Sequence, residues 1–275
     1  MKICGVTADR TSRHEGVEMR TRSAALVMVV GLSISLCSCS MTTPAAKTTT
    51  TTAIVPAKAL GNTTVALSVS PCSSTSGAPT TGPPWRPSKL LGLVPADLVS
   101  KVEFYSSGTE TLLGPRGWSC SQVTGADGSS EMAVYPLGNT DPTSEQIPAG
   151  TIGVFAGYDY TGHNPGIDTV CPYFPVVDPS QYGCAATTPP NGEQTHMLTP
   201  DVVAITDPAG VTGGLTGSGG NHAVIGVLIF PQVTPRLSSE DTAEMSCSLS
   251  DSSLCPAILA DFEVRQLPVP TTPVR

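Results

Sequence analysis

Six cysteines, Cys72, Cys120, Cys171, Cys184, Cys247 and Cys255, constrain this chain more than any other feature. An even set of cysteines in an oxidising compartment reads as disulfides. Six allow fifteen pairings, and spacing narrows them. Cys171 and Cys184 bracket a Pro-rich loop and Cys247 and Cys255 a short Ser-rich one, which leaves Cys72 with Cys120. Each closure stabilises by about 2.5 to 4 kcal/mol on the chain-entropy model. Zinc is the rival use of cysteine, but structural zinc sites favour Cys-x2-Cys knuckles, and none occurs after Cys39.

The remaining three cysteines, Cys4, Cys37 and Cys39, belong to a different part of the chain. Ala24 to Leu36 is an apolar run of thirteen preceded by Arg20 and Arg22. That is signal-peptide anatomy, too short to span a bilayer. Leu36-Cys37-Ser38-Cys39 resembles the bacterial lipobox, with an apolar residue at −3 and a small one at −1 before an invariant cysteine. The resemblance implies cleavage after Ser38, removal of Cys37, and a diacylglyceryl thioether on Cys39 as a membrane anchor. The alternative is a secreted protein cut at an ordinary small-residue site, without an anchor. Residues 1 to 18 carry Asp9, Glu15 and Glu18, unlike a basic n-region, so translation from Met19 is the expected start.

Only 13% of the 275 residues are charged, and Gly and Pro number 27 and 26. An ordinary globular protein is about 25% charged, so this composition suits a loop-rich, disulfide-stapled extracytoplasmic fold. From Ser40 onward nine Lys and Arg face nineteen Asp and Glu, a net charge of −10. No basic stripe exists to neutralise phosphates, which argues against nucleic acid or anionic lipid head groups as partners. The acidic residues are scattered along the chain and read as a solvated surface rather than a calcium site.

Residues 40 to 62 are rich in Thr, Pro and Ala, lack an apolar period and read as a tether. A flexible chain of that length reaches about 25 Å. Leu267 to Arg275, with three prolines, reads as an extended tail. Between them lie residues 63–267, enough for one extracytoplasmic domain. Thr64 to Ser70, Lys101 to Tyr105, Glu131 to Tyr135, Thr151 to Tyr158 and Ala223 to Phe230 read as strands. Short connections full of Gly, Pro and Ser favour antiparallel pairing. The best helix is Asp251 to Val264, with Asp251 or Ser252 as cap, Pro256 in the first turn, and Leu254, Ile258, Leu259 and Phe262 on one face. The expected fold class is α+β: mainly antiparallel β with a C-terminal helix.

Leu113-Gly-Pro-Arg-Gly-Trp-Ser-Cys120, followed by Gly125-Ala-Asp-Gly-Ser-Ser130 and Val134-Tyr-Pro136, resembles a block of uncharacterised secreted proteins and lipoproteins of actinobacteria. Cys171-Pro-Tyr-Phe-Pro175, Asp207-Pro-Ala-Gly-Val211 and the helix between Cys247 and Val264 resemble later blocks of that group. The resemblance implies a cell-envelope protein and supports the three pairings, but no chemistry. Trp118 beside Cys120 suits a ring packed in a stapled core, with Arg116 able to stack or pair at its edge. A carbohydrate-binding platform is the sharper reading of the same two residues.

Thr216-Gly-Ser-Gly-Gly-Asn221 superficially resembles the nucleophile turn of chymotrypsin-like proteases, with Ser218 as nucleophile. Gly217 stands where the family has an acid, and neither His163, His196 nor His222 has a recognisable triad context. A glycine-rich loop before a strand buried on both faces explains the same letters. Asp159, His163 and Asp168 have no standard metal spacing and fit a turn instead. No phosphate-cradling loop with its lysine is present, and no cofactor is expected. These observations favour a lipid-anchored cell-envelope module that binds an envelope protein or glycan, or is purely structural. The alternative is a secreted serine hydrolase using Ser218.

Overall fold

The computed structural model describes residues 63–76, 87–126, 128–142, 147–159, 170–175, 184, 186–231 and 242–267. The signal segment, Cys39, the tether, His163, Asp168 and the Pro-rich tail lie outside the described residues. The strands are β1 (Thr63–Pro71), β2 (Ser73–Ser76), β3 (Lys89–Val94), β4 (Val102–Ser106), β5 (Thr111–Pro115), β6 (Ser119–Thr124), β7 (Ser130–Tyr135), β8 (Gly153–Asp159), β9 (Gln194–Thr199), β10 (Val202–Asp207), β11 (Val224–Ile229) and β12 (Thr242–Ser248). They form a four-stranded sheet, β3-β1-β4-β5, and an eight-stranded sheet, β2-β6-β7-β8-β12-β11-β10-β9. A helix, α1 (Cys255–Gln266), follows β12.

Among the described strands, all pairings are antiparallel except β1 with β4 and β2 with β6. Both exceptions come from one stretch of chain that changes partners. Thr63 to Ser68 pair with β3, Val69 to Pro71 run beside β4, and beyond Cys72 the chain joins the large sheet beside β6. The Cys72–Cys120 disulfide sits at this crossing, with its Cα atoms 4.6 Å apart. Cys171–Cys184 and Cys247–Cys255 complete the three expected pairings.

The main core lies between the small sheet, the inner face of the large one and α1. It joins Leu67, Val102 and Phe104 to Met132, Val154, Met245 and Val227, with Leu254, Ile258, Leu259 and Phe262 from the helix region. That is the apolar face expected of the helix, and burial of each large side chain is worth about 1.5 to 3 kcal/mol. Asp251 accepts from Ser253 N at 3.1 Å and caps a 3-10 turn, Ser252–Leu254, while Pro256 occupies the first turn of α1. The helix is fixed to β3 by a polar clamp. Asp261 accepts from Leu93 N (3.1 Å) and from Arg265 Nε (2.7 Å). Arg265 also donates to Leu91 O (2.6 Å) and lies 4.3 Å from the Phe104 ring centre.

A second core lies on the outer face of the large sheet. There Val203, Ile205, Val224 and Leu228 meet Val170, Phe174, Leu215 and Phe230. β11 is therefore buried on both faces, as its unbroken apolar run predicts.

Candidate functional site

The glycine-rich run from Gly210 to Gly220 folds as a loop over the outer face of the large sheet. Its turns are closed internally by Gly219 N to Val211 O (2.9 Å) and Ser218 N to Leu215 O (3.1 Å). The sheet holds it from below through Ser246 Oγ, which donates to Thr216 O at 3.0 Å. A neighbouring turn holds it from the side: Gly150 N donates to Ser218 O at 2.8 Å, and Ser248 Oγ to Thr151 O at 2.7 Å. Gly217 is needed where these meet. Its φ is +86°, and a β-carbon there would crowd Thr151 O and Ser248.

Between the two loops opens a cleft of about 540 Å³, lined in part by Glu131, Phe155, Gly157, Thr216, Ser218 and Glu244. Strand register explains its floor. Gly157 on β8 pairs with Glu131 on β7 and with Glu244 on β12, so one lateral row of the sheet places a glutamate on each side of a glycine. Strands two apart separate their Cα atoms by about 9.5 Å. A β-carbon at 157 would meet nothing within 4 Å, so the space between the glutamates is open.

Behind the Gly213–Leu215 wall lies a second acidic group. Asp207, at the end of β10, is 1% exposed. Its Oδ2 accepts from Leu215 N at 3.0 Å, and Glu193 Oε2 accepts from Gly214 N at 2.7 Å. The other oxygens, Asp207 Oδ1 and Glu193 Oε1, are buried and meet no conventional donor. The two carboxyls act on each other at close range, and Glu193 acts likewise on the Tyr173 hydroxyl.

This crowding changes the acids. Burial pushes Asp207 up to about 7, the Leu215 amide opposes the shift, and the charge and hydrogen bond of Glu193 add to it. Burial likewise raises Glu244 to about 7, assisted by the charges of Glu131, Glu193 and Asp207. The Tyr173 hydroxyl is raised above its ordinary range, first by burial and then by Glu193. The expectation that the acidic residues form a solvated surface therefore needs correcting, for the buried Glu103 and Asp261 elsewhere and here for Glu193, Asp207 and Glu244, whereas Glu131 is exposed. Glu131, Glu193, Asp207 and Glu244 are far apart in sequence, but the strand pairings gather them.

The Ser218 hydroxyl lies at the edge of this cleft and closes its own turn, accepting from Gly213 N (3.2 Å) and donating to Gly213 O (3.5 Å). His222 reaches a different serine, with its Nε2 2.9 Å from Ser248 Oγ. Since Ser248 gives its proton to Thr151 O, the imidazole is the donor in that contact. His196 is on the exposed edge strand β9, where its backbone partner is Ala204. Asp159 ends β8 opposite Thr242, and its intended companions His163 and Asp168 lie outside the described residues. No group of three or more His, Cys, Asp or Glu placed to hold a metal occurs among the described residues.

Trp118 is half-buried against the main core. Arg116 donates to Ser100 O (3.0 Å), Val99 O (3.3 Å) and Val102 O (2.9 Å), and to Ser68 Oγ (3.5 Å). These bonds clamp the turn before β4, a different role from the expected stacking at the Trp118 edge. The neighbouring Glu103 receives Gly117 N, Tyr105 and Ser68. Burial raises that carboxyl, but these hydrogen bonds and the Arg116 charge outweigh burial and hold it below its ordinary value. Trp118 and Arg116 do not line the cleft.

The chain matches no protein-family model, no curated protein and no solved structure. Three disulfides are compatible with an exported protein.

Proposed function

We propose that this is an exported cell-envelope protein, anchored through a lipid on Cys39, whose stapled domain binds a ligand in the acidic cleft. The observation that carries the binding reading is the open floor at Gly157 between Glu131 and Glu244, walled by loops already fixed by hydrogen bonds. Two carboxylates facing a common space favour a ligand group that brings positive charge and N–H donors, and a guanidinium fork matches them best. The same charge opposes phosphates and other anions.

The anchoring part rests on the lipobox-like residues Leu36 to Cys39, on the tether behind them, and on the resemblance to secreted actinobacterial proteins. An envelope protein with exposed Arg or Lys, or an amine-bearing glycan, is a partner of the required chemistry.

Chemical-shift mapping with agmatine as the cationic probe and glutarate as the anionic one tests the binding reading at pH 8. The reading expects agmatine to shift the amides of Glu131, Gly157 and Glu244, and glutarate to leave them unmoved. Shifts from glutarate at the same amides, or none from agmatine, would overturn it.

A further inference from the structure

The wall of the cleft carries a feature that ligand binding does not require. Consecutive amides of one loop grip two different carboxyls, Gly214 N on Glu193 and Leu215 N on Asp207. Neighbouring amides in a chain have a fixed separation, so both bonds exist only while the two carboxyls stay side by side. Each of the two also keeps one buried oxygen without a hydrogen-bond partner. Two carboxylates in that position repel, and the arrangement becomes favourable when one proton lies between them. The loop above leaves no room for adjustment, because a β-carbon on Gly213 would fall on the Asp207 carboxyl and one on Gly214 would crowd the Tyr173 hydroxyl.

We propose that Asp207 and Glu193 form a proton-operated latch on the glycine wall: the wall is held while the two carboxyls share a proton, and it loosens when that proton leaves. The groups facing the pair are the Gly214 and Leu215 amides from the loop, the Tyr173 hydroxyl from the 170–175 turn, and the charge of Glu244 from β12, with Glu131 on β7 behind it. As pH rises Glu244 becomes negative and adds to the repulsion, while the Tyr173 hydroxyl stays neutral. Glu193, half-buried on the turn before β9, is the partner able to move away, and it takes the Gly214 bond with it. The raised affinity of Asp207 for its proton puts release near neutrality. Glu244 would gain charge over the same interval, so the wall would loosen as the cleft acquires its second carboxylate.

Amide hydrogen exchange of Gly214 and Leu215 between pH 6 and 8, corrected for the intrinsic rise of exchange with pH, tests the latch without any ligand. Failure of the latch and failure of the binding reading are therefore distinguishable. The expected result is a loss of protection of about tenfold per pH unit beyond release, while the Val227 amide in central β11 stays protected. Asp207→Asn keeps an acceptor for Leu215 N and offers a permanent N–H to Glu193, so it should remain latched at both pH values. Glu193→Gln should do the same from the other side, and it decides the matter together with the wild-type profile if the Asn variant does not fold. A flat wild-type profile, or an unchanged step in either folded variant, would overturn the proposal.

Discussion

The side chain of Leu215 sits directly over Gly226: a β-carbon at 226 would lie 2.6 Å from Leu215 Cδ2 and 2.5 Å from Met245 O. The loop that walls the cleft thus rests on a glycine in the middle of β11, and the closeness of the two decides how low the wall stands.

Gly226→Ala is expected to lift that wall and destabilise the domain by about 1 to 3 kcal/mol, the ordinary result of overpacking. Gly157→Ala, whose added methyl meets open space on the cleft floor, should change stability by less than about 0.5 kcal/mol. Urea unfolding of the two variants beside wild type checks the contrast. Equal losses would show that the floor is not open or that Leu215 can move aside.

The raised carboxyls set a direction for stability against pH. Asp207 and Glu244 have folded values near 7 against ordinary values of 3.8 and 4.5, so the folded state holds protons that the unfolded chain has released. Their contribution to stability is intact below about pH 4 and falls as pH rises to about 7, by about 1.4 kcal/mol per pH unit for each proton. Glu103 acts oppositely: its depressed value stabilises above its unfolded value of 4.5, and that contribution is lost as pH falls below it. Glu244→Gln should therefore unfold later than wild type at pH 8 and alike at pH 4. A thermal scan at both pH values reads this, and a lower midpoint for the variant at pH 8 would contradict it.

Ser218 and Ser248 are expected to stay unlabelled by a fluorophosphonate probe. The first has its hydroxyl on Gly213, and the second gives its proton to Thr151 O while accepting from His222. A nucleophilic serine needs a base positioned to take its proton. Labelling that disappears on Ser218→Ala and on heat denaturation would instead establish the hydrolase.

Lipidation of Cys39 predicts a mature N-terminal peptide heavier than its sequence by a diacylglyceryl group, and loss of membrane partitioning in Cys39→Ala. Intact mass of that peptide decides it. An unmodified Ser40-preceding cysteine, or an alanine variant that still partitions with membranes, would sink the anchor.

The fold was legible in the sequence where the signal was local. The apolar run of β11, the capped helix after Asp251 and the short cysteine loops each follow from neighbouring residues, and each is present. Strands β2, β3, β5, β6, β9, β10 and β12 were not read. Lys89 to Val94 contains a glycine and lacks strict alternation, and the all-exposed or half-exposed edge of β9 carries no apolar face. The acidic site was hidden for a different reason. Glu131, Glu193, Asp207 and Glu244 are spread over more than a hundred positions, and only the order β7-β8-β12-β11-β10-β9 brings them together. Gly157 gave no hint either, since its value lies in the two neighbours that pairing places beside it.

The most direct measurement of the central claim is a calorimetric titration of the folded domain with agmatine at pH 8, in low and moderate salt, for wild type and for the Glu131→Gln/Glu244→Gln double variant. The account predicts wild-type binding that weakens as salt rises and falls at least about tenfold in the double variant, the loss expected of one charge-assisted contact. Equal affinity in the two proteins, at either salt concentration, would contradict it.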